Sequence, residues 1–128
     1  MARKPTPTLT EAELRIMEII WKLGEATVRD IHEAFPFKGR LAYNTVLTTV
    51  RILERKGHLS HTKDGRAHLY RPLSTREDAR RQAVRHIVRS FFRGSPPLLL
   101  RSMLTDEDLT DEEIEQLRQM IDEFETGE

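Results

Sequence analysis

The first sixty residues contain three runs in which apolar side chains recur every three or four positions, the spacing of an amphipathic helix. The first run follows Thr10 and Glu13, which have the spacing of a capping box, and it stops at Gly24. The second run opens at Thr27, and the third covers about residues 41–56. The apolar positions that follow the helical period in the first run are Leu14, Met17, Ile20 and Trp21. The inward positions predicted for the other two helices are Val28, Ile31, Phe35, Val46, Val50 and Leu53.

Beyond the third helix the pattern changes to short segments that alternate polar and apolar side chains. Residues 58–62 and 67–70 have this strand-like pattern, and residues 63–66 between them contain Asp-Gly, a strong signal for a hairpin turn. Three helices followed by a two-stranded β-hairpin wing predict a winged helix-turn-helix over residues 9–73. Residues 1–8 are predicted to form a disordered arm.

Residues 74–128 are predicted to form a helical dimerisation region, so that the fold as a whole is mainly α. Ser74 with Glu77 and Thr110 with Glu113 have the spacing of helix caps, and a short apolar segment lies between the two helices. The last helix has a narrow apolar seam surrounded by acids, which suits pairing with a second chain in a two-fold dimer. Folding back onto its own domain is the alternative. The predicted dimerisation residues are Phe91, Phe92, Leu98, Leu99, Leu100, Met103, Leu104, Ile114, Leu117, Ile121 and Phe124.

The composition is that of an ordinary globular protein with a polar surface. It has 128 residues and no cysteine, and a chain of this length buries a core without metals or disulfides. No apolar run follows the basic N-terminus, as a signal peptide requires, and the run Leu98-Leu99-Leu100 is far too short to span a bilayer. We therefore expect a cytoplasmic protein without membrane association.

The net charge of zero hides an asymmetry along the chain. Residues 1–93 hold 19 Lys and Arg against 10 Asp and Glu, a net charge of +9, whereas residues 94–128 hold 2 against 11, a net charge of −9. A basic first part suits a polyanion such as nucleic acid. The alternative is that both parts are simply solvated faces of one globule.

The third helix is the element with which a winged helix-turn-helix reads DNA. Asn pairs with adenine in the major groove, Thr contacts a thymine methyl group or a phosphate, and a helix N-terminus favours a phosphate. Exposed helix positions more often carry Glu, Lys or Gln, so a face rich in Tyr, Asn and Thr favours recognition over a tolerated surface. Basic residues in the wing suit a phosphate or the minor groove. The predicted DNA-binding residues are Lys38, Arg40, Ala42, Tyr43, Asn44, Thr45, Leu47, Thr48, Arg51, Lys63 and Arg66.

The fourth predicted helix is rich in arginine, and two interpretations compete. The side chains form either a stripe that faces phosphates or a surface that pairs with the acidic tail of a partner subunit. We favour the second interpretation for the C-terminal members of the set. The arginines are Arg76, Arg80, Arg81, Arg85, Arg89 and Arg93.

The sequence contains no recognisable catalytic or cofactor motif. No H-E-x-x-H zinc motif starts at His32, and no nucleophile elbow, P-loop or dinucleotide fingerprint is present. His58, His61 and His68 fall on the predicted hairpin, but no carboxylate or cysteine partner accompanies them. We therefore expect no enzyme activity, no cofactor and no metal site. A winged-helix module that binds protein instead of DNA is the alternative to a DNA-binding regulator.

Four short segments and the predicted wing form a distinctive combination. The segments are Leu9-Thr10-Glu11-Ala12-Glu13, Glu18-Ile19-Ile20-Trp21, Ala42-Tyr43-Asn44-Thr45-Val46 and Arg55-Lys56-Gly57. Together they resemble the penicillinase-repressor family, the BlaI/MecI-like transcriptional repressors with copper-responsive CopY-like members, over about residues 9–124. The resemblance implies a homodimer that places two winged-helix domains on a palindromic operator of double-stranded DNA, with a helical C-terminal dimerisation domain.

The resemblance also implies a way of releasing the operator. In beta-lactam-responsive members a membrane sensor protease, or a protease downstream of it, leads to cleavage between Asn and Phe in the dimerisation region. The matching positions here are Ser102 and Met103, which differ from that dipeptide and leave the signal open. Copper-responsive relatives carry a C-terminal cluster of cysteines. This chain has none, so thiolate copper sensing is not expected.

Overall fold

Residues 8–105 and 108–127 are described by the computed structural model, so the predicted arm lies outside the described residues except for Thr8. Within the described residues the chain forms six α-helices and one two-stranded antiparallel sheet, which confirms the predicted mainly α fold. It divides into two compact units, unit 1 up to Val84 and unit 2 from Arg85. The elements are α1 (Glu11–Leu23), α2 (Val28–Ala34), α3 (Tyr43–Arg55), β1 (Leu59–Asp64), β2 (Ala67–Pro72), α4 (Arg76–Phe91), α5 (Pro96–Leu104) and α6 (Asp111–Glu125).

Three helices begin at capping boxes that the sequence predicts. In α1 the Glu13 backbone N–H donates to Thr10 Oγ1 at 3.2 Å, and the Thr10 backbone N–H donates to Glu13 Oε1 at 2.7 Å. Two otherwise unpaired N–H groups are thereby satisfied at the helix start. The same helix ends at Gly24, whose φ of 87° suits a residue without Cβ. The capping pairs are Thr10–Glu13 in α1, Thr27–Asp30 in α2 and Thr110–Glu113 in α6.

The start of α4 differs from the prediction by one residue. The Asp78 N–H donates to Thr75 Oγ1 at 3.1 Å and the Thr75 N–H donates to Asp78 Oδ2 at 3.3 Å, which lowers the pKa of Asp78. The predicted cap at Ser74 is wrong because Ser74 is engaged elsewhere. Its carbonyl accepts a hydrogen bond from Trp21 Nε1 at 2.7 Å, and its hydroxyl hydrogen-bonds His58 Nδ1 at 3.0 Å.

Unit 1 has a hydrophobic core built by α1, α2 and α3 with one residue from each strand. The predicted inward positions of α2 and α3 are buried, but the buried stripe of α1 is rotated. Leu14 is 38% exposed and Trp21 is only partly buried, whereas Ile16 is fully buried, so the buried face of α1 differs from the set of apolar positions that the helical period picks out. The reason is that Glu13 occupies the buried face. The core residues are Ile16, Met17, Ile20, Ala26, Val28, Ile31, Phe35, Val46, Val50, Leu53, Leu59 and Tyr70.

A buried ion pair links the start of α1 to the end of α3. Lys56 Nζ lies 2.8 Å from Glu13 Oε1 and also donates to the Thr8 carbonyl at 3.3 Å. The Lys56 and Glu13 side chains are 9% and 4% exposed. Burial raises the pKa of Glu13, but hydrogen bonds from Lys56 and Thr10 outweigh burial and hold that pKa below its usual value of 4.5.

Acid is expected to remove the contribution of this pair to stability. Because the pKa of Glu13 is lower in the folded chain than in the unfolded chain, the contribution is complete above about pH 4.5 and is lost as the pH falls through the folded-state value. Glu13→Gln lacks this titration, so its free energy of unfolding declines less than the wild-type value between about pH 6 and about pH 3. Urea unfolding at both pH values measures the difference, and equal declines contradict the prediction.

The wing has a shorter turn than the sequence pattern predicts. The strands pair as far as Asp64 and Ala67, so the turn holds only Gly65 and Arg66 rather than residues 63–66. Gly65 has a φ of 64°, which a residue without Cβ adopts at no steric cost, and glycine at the first central position suits a two-residue hairpin. Two polar residues that the sequence assigns to the turn therefore belong to β1.

Backbone and side-chain hydrogen bonds fix the base of the wing. The Ala26 N–H donates to the Tyr70 carbonyl at 2.9 Å, and the Tyr70 N–H donates to the Ala26 carbonyl at 2.8 Å. The bond from Trp21 to Ser74 joins α1 to the chain that follows β2. The connection between α1 and α2 thus pairs with β2, while the turn of the wing stays exposed.

Unit 2 buries little of its own apolar surface. α4 ends at Phe91 rather than near Arg93, and the predicted apolar segment is the helix α5, which Ser95 caps. Among the described residues of this unit, Val88 is the one buried apolar side chain, and neither α5 nor α6 has any. Phe91 and Phe124 are 75% and 87% exposed. No helix in the described ranges has the length and hydropathy needed to cross a membrane.

Candidate nucleic-acid interface

α3 separates a buried face from an exposed polar face. Val46, Val50 and Leu53 are fully buried against the core, which fixes the rotation of the helix about its axis. The helix starts at Tyr43, later than predicted, and the side chain of its N-cap, Ala42, makes no capping hydrogen bond. The predicted recognition residues that the structure leaves exposed on this helix are Tyr43, Asn44, Thr45, Thr48 and Arg51.

Leu47 differs from the other predicted recognition residues of α3. It is partly buried and packs against the hydrophobic core of unit 1. Its side chain therefore lies at the boundary between the buried and the exposed face, where part of it remains accessible. Ala42, directly before α3, is exposed.

The turn between α2 and α3 is held by cationic side chains. Arg40 Nη2 donates to the carbonyls of Phe35 at 2.8 Å and Glu33 at 3.2 Å, so its guanidinium caps the C-terminal end of α2. Arg15 Nη2 of α1 donates to the Gly39 carbonyl at 2.5 Å. Arg40 is thus engaged in positioning α3. Lys38 is exposed, and no ion pair to it is found in the described part of the chain.

The wing is attached to the end of α3 by a cluster of aromatic rings and a hydrogen bond. His61 Nδ1 lies 2.5 Å from Glu54 Oε2, and the His61 ring stacks on His68 with a centroid distance of 4.1 Å. Behind them Tyr70 is buried, and burial together with the Glu54 charge raises its pKa, although Arg51 opposes this. The cluster therefore connects both strands to the helix that carries the exposed polar face.

The three histidines near the hairpin lie in different environments. His58 is buried and hydrogen-bonds Ser74, whereas His61 and His68 lie on the exposed hairpin. Within residues 8–105 and 108–127, no group of three or more His, Asp or Glu side chains has a geometry that holds a metal ion. The stacked pair instead contributes to the packing of the wing.

Four exposed cations lie on α3 or close to it along the sequence. Lys38 precedes it, Arg51 lies on it, and Lys63 and Arg66 lie at the tip of the wing. None of the four forms an ion pair with another described residue. A helix that is positioned by a helix-turn-helix and followed by a hairpin with a basic turn defines a winged helix-turn-helix protein.

Comparison with known proteins gives the family. The profile of the penicillinase repressor family matches residues 9–123. The penicillinase repressor of Bacillus licheniformis is 27% identical over 120 residues, 94% of each chain. The methicillin resistance regulatory protein MecI of Staphylococcus aureus (strain N315) is 26% identical over 116 residues, 91% of this chain and 94% of that protein. The chain belongs to the penicillinase repressor family.

A solved structure supports the fold of unit 1. The solution structure of the DNA-binding domain of the repressor BlaI matches with a TM-score of 0.52 and 29% sequence identity, covering 59% of this chain and 93% of that one. The predicted winged helix-turn-helix is thereby confirmed.

Proposed function

We propose that this protein is a cytoplasmic transcriptional repressor that occupies a palindromic operator as a homodimer. The exposed Tyr-, Asn- and Thr-rich face of α3 beside the basic tip of the wing carries the proposal. Membership of a family named for repressors, and the likeness to a DNA-binding domain, support it. The proposed DNA-binding residues are Lys38, Arg40, Ala42, Tyr43, Asn44, Thr45, Leu47, Thr48, Arg51, Lys63 and Arg66.

In this proposal α3 enters the major groove and supplies the base contacts. The Asn44 amide donates to and accepts from adenine, and the Thr48 methyl group meets a thymine methyl. Arg51, one turn further along the same face, reaches a guanine edge or a phosphate. The uncapped N–H groups at the start of α3 face a phosphate, as helix N-termini do in many complexes.

The turn of the wing contacts the DNA backbone. Lys63 and Arg66 are exposed, and Arg66 occupies the second position of the two-residue turn. Contacts of this kind neutralise phosphates and add affinity for every sequence alike. Arg40 has a second role besides the proposed DNA contact, because its guanidinium caps α2 and sets the position of α3.

Unit 2 supplies the dimer contact. Apart from Val88, its described apolar residues are exposed or half-buried in the single chain, and acids surround the seam of α6. The last turns of α4 carry Arg85 and Arg89, so opposite charges are available for pairing with the acidic helix of the partner. A two-fold dimer sets two recognition helices one or two DNA turns apart, ~34 Å per turn, which calls for a palindrome.

Release of the operator follows the loss of the dimer contact. Ser102 and Met103 lie in the last turn of α5 and are exposed, so a protease reaches the bond between them once this turn opens. Cleavage there separates most of α5 from α6. Without the dimer each winged helix binds its half-site alone and loses the gain from bivalent attachment.

Two single substitutions test the docking of α3 and the wing. Asn44→Ala removes a base contact, so affinity for the operator falls about 5- to 150-fold while affinity for unrelated DNA is unchanged.

Arg66→Ala removes a phosphate contact, so affinity for all sequences falls and the slope of log affinity against log salt decreases by about 1. Fluorescence anisotropy with labelled duplexes measures both effects.

Arg118→Ala is the matched control for these variants. Arg118 is an exposed cation of α6 that pairs with Glu115, far from the proposed contacts in sequence, and its loss leaves affinity and salt slope unchanged. If Asn44→Ala and Arg66→Ala both bind the operator as the wild type does, the docking is wrong. An affinity that does not change with salt concentration favours the protein-interaction module over the repressor.

A further inference from the structure

A large groove on unit 1 has no role in the proposed DNA contacts. It has a volume of about 940 Å³ and lies between α1, the C-terminal end of α2 and the chain that joins β2 to α4. A volume of this size falls in the range of small-molecule sites, ~300–1,000 Å³. None of the residues proposed to contact DNA lines it.

The walls of the groove are mainly apolar and partly aromatic. Trp21, which is partly buried, forms its aromatic wall, and Ile19 and Pro36 add aliphatic surface; Phe35 also lines it but is only 3% exposed. Leu73, which also lines the groove, is 62% exposed. Such exposed apolar surface in a concave site is typical of a place that a ligand covers.

Three cations and one acid line the same groove. The Arg76 guanidinium lies 5.6 Å from the centroid of the Trp21 ring, and the Arg15 guanidinium lies 5.0 Å from that of Phe35. Lys22 is the third cation, and among the described residues neither it nor Arg76 has an ion-pair partner. With Glu18 as the acid, the groove has an excess of two positive charges over an apolar floor.

We propose that this groove binds a small aromatic carboxylate. A flat apolar ring lies against Trp21, and the carboxylate pairs with the guanidinium of Arg76 and the ammonium of Lys22. A guanidinium that is already oriented over a ring holds a carboxylate with two parallel hydrogen bonds at little cost in side-chain entropy. A neutral ring leaves the cations without a partner, and a small inorganic anion leaves the apolar walls uncovered, so both fit the groove less well.

Trp21 provides a direct reporter of binding. It is the one tryptophan of the chain, so a ¹H–¹⁵N spectrum of the full-length protein has a single indole N–H resonance. That N–H donates to the Ser74 carbonyl at 2.7 Å, and Ser74 itself lines the groove. A ligand that covers the indole ring therefore moves this resonance, whatever happens at α3 or in unit 2.

Titration of the full-length protein with 1-naphthoate tests the proposal, with neutral 1-naphthamide as the matched ligand. We expect a saturable shift of the indole resonance with the acid, and binding at least ~5-fold weaker with the amide. Arg76→Gln weakens binding of the acid, because Lys22 is then the one proposed partner left for the carboxylate. Arg81→Gln, on the same helix but paired with Glu77 and outside the groove, leaves it unchanged.

Four results would overturn the proposal. They are the absence of a saturable shift, equal binding of acid and amide, equal binding of acid by Arg76→Gln and the wild type, and an equal shift with inorganic phosphate at the same concentration. Leu73→Ser gives an independent check of the apolar wall, because it weakens 1-naphthoate while it leaves all charges in place. The measurement needs no DNA, so its outcome is separate from that of the proposed repressor function.

Discussion

Glu13→Ala is expected to lower the free energy of unfolding by about 3–5 kcal/mol, the largest effect of any single substitution considered for unit 1. The substitution leaves the Lys56 ammonium buried, 9% exposed, with the Thr8 carbonyl as its remaining partner. It also removes the acceptor of the Thr10 N–H at the start of α1. An uncompensated charge and a lost cap therefore act in the same direction. Urea unfolding followed by circular dichroism measures the change.

An exposed ion pair gives the matched control. Arg29 and Glu33 pair on the surface of α2 with side chains 80% and 60% exposed, so Glu33→Ala costs less than about 1 kcal/mol. The double variant Glu13→Leu/Lys56→Met replaces the buried pair by apolar groups and recovers most of the stability that the single variant loses. A loss of less than about 1 kcal/mol for Glu13→Ala contradicts the interpretation that this pair is buried in solution.

Ile121→Asp is expected to convert the protein to a monomer and to weaken operator binding by about 10²-fold or more. Ile121 is 45% exposed in the single chain, so the charge does not disturb the fold of one protomer. In the proposed dimer the same side chain is covered by the partner, where an unpaired carboxylate is strongly unfavourable. Sedimentation velocity gives the oligomeric state, and anisotropy gives the affinity for a palindromic duplex.

The control for this variant introduces the same charge on the other side of α6. Gln119 is exposed and lies off the seam formed by Ile114, Leu117, Ile121 and Phe124. Gln119→Asp therefore stays dimeric and binds the palindrome like the wild type. Ile121→Asp keeps α3 and the wing, so it still binds a single half-site weakly. If the Ile121→Asp protein is still dimeric, the seam of α6 is not the interface. That result favours the alternative in which α6 folds back onto its own chain.

The elements of the fold follow from local signals in the sequence. Capping boxes separated by three residues mark the starts of α1, α2 and α6, because both partners lie within one helical turn. The winged helix-turn-helix follows from the order of three amphipathic helices and a hairpin. The predicted turn, by contrast, was too long, since pairing of Asp64 with Ala67 depends on the whole register of the sheet.

Contacts between residues distant in sequence are what the sequence does not reveal. Glu13 and Lys56 are 43 residues apart, so nothing local indicates that a glutamate belongs to the core of α1. Ser74 and Trp21 are 53 residues apart, and their hydrogen bond engages Ser74. Thr75 rather than Ser74 therefore caps α4. Tertiary contacts of this kind override a local pattern when they satisfy a buried polar group.

In the candidate interface, too, local features follow from the sequence whereas tertiary contacts do not. The exposed positions of α3 were predicted from the helical period, because Val46 and Val50 fix the buried side. The capping role of Arg40 and the position of Leu47 against the core were not predicted, because both depend on how α2 and α3 pack. The roles of the α3 and wing residues in DNA binding remain predictions. The substitutions of Asn44 and Arg66 test two of these roles.

In the proposed complex α3 and the turn of the wing contact a DNA duplex twice, once from each protomer. Hydroxyl-radical footprinting of the wild-type protein on the intergenic DNA beside its own gene tests this most directly. We expect two protected half-sites related by a palindrome, their centres one or two helical turns apart, ~34 Å per turn. A uniform cleavage pattern at low salt, where phosphate contacts are strongest, contradicts the claim.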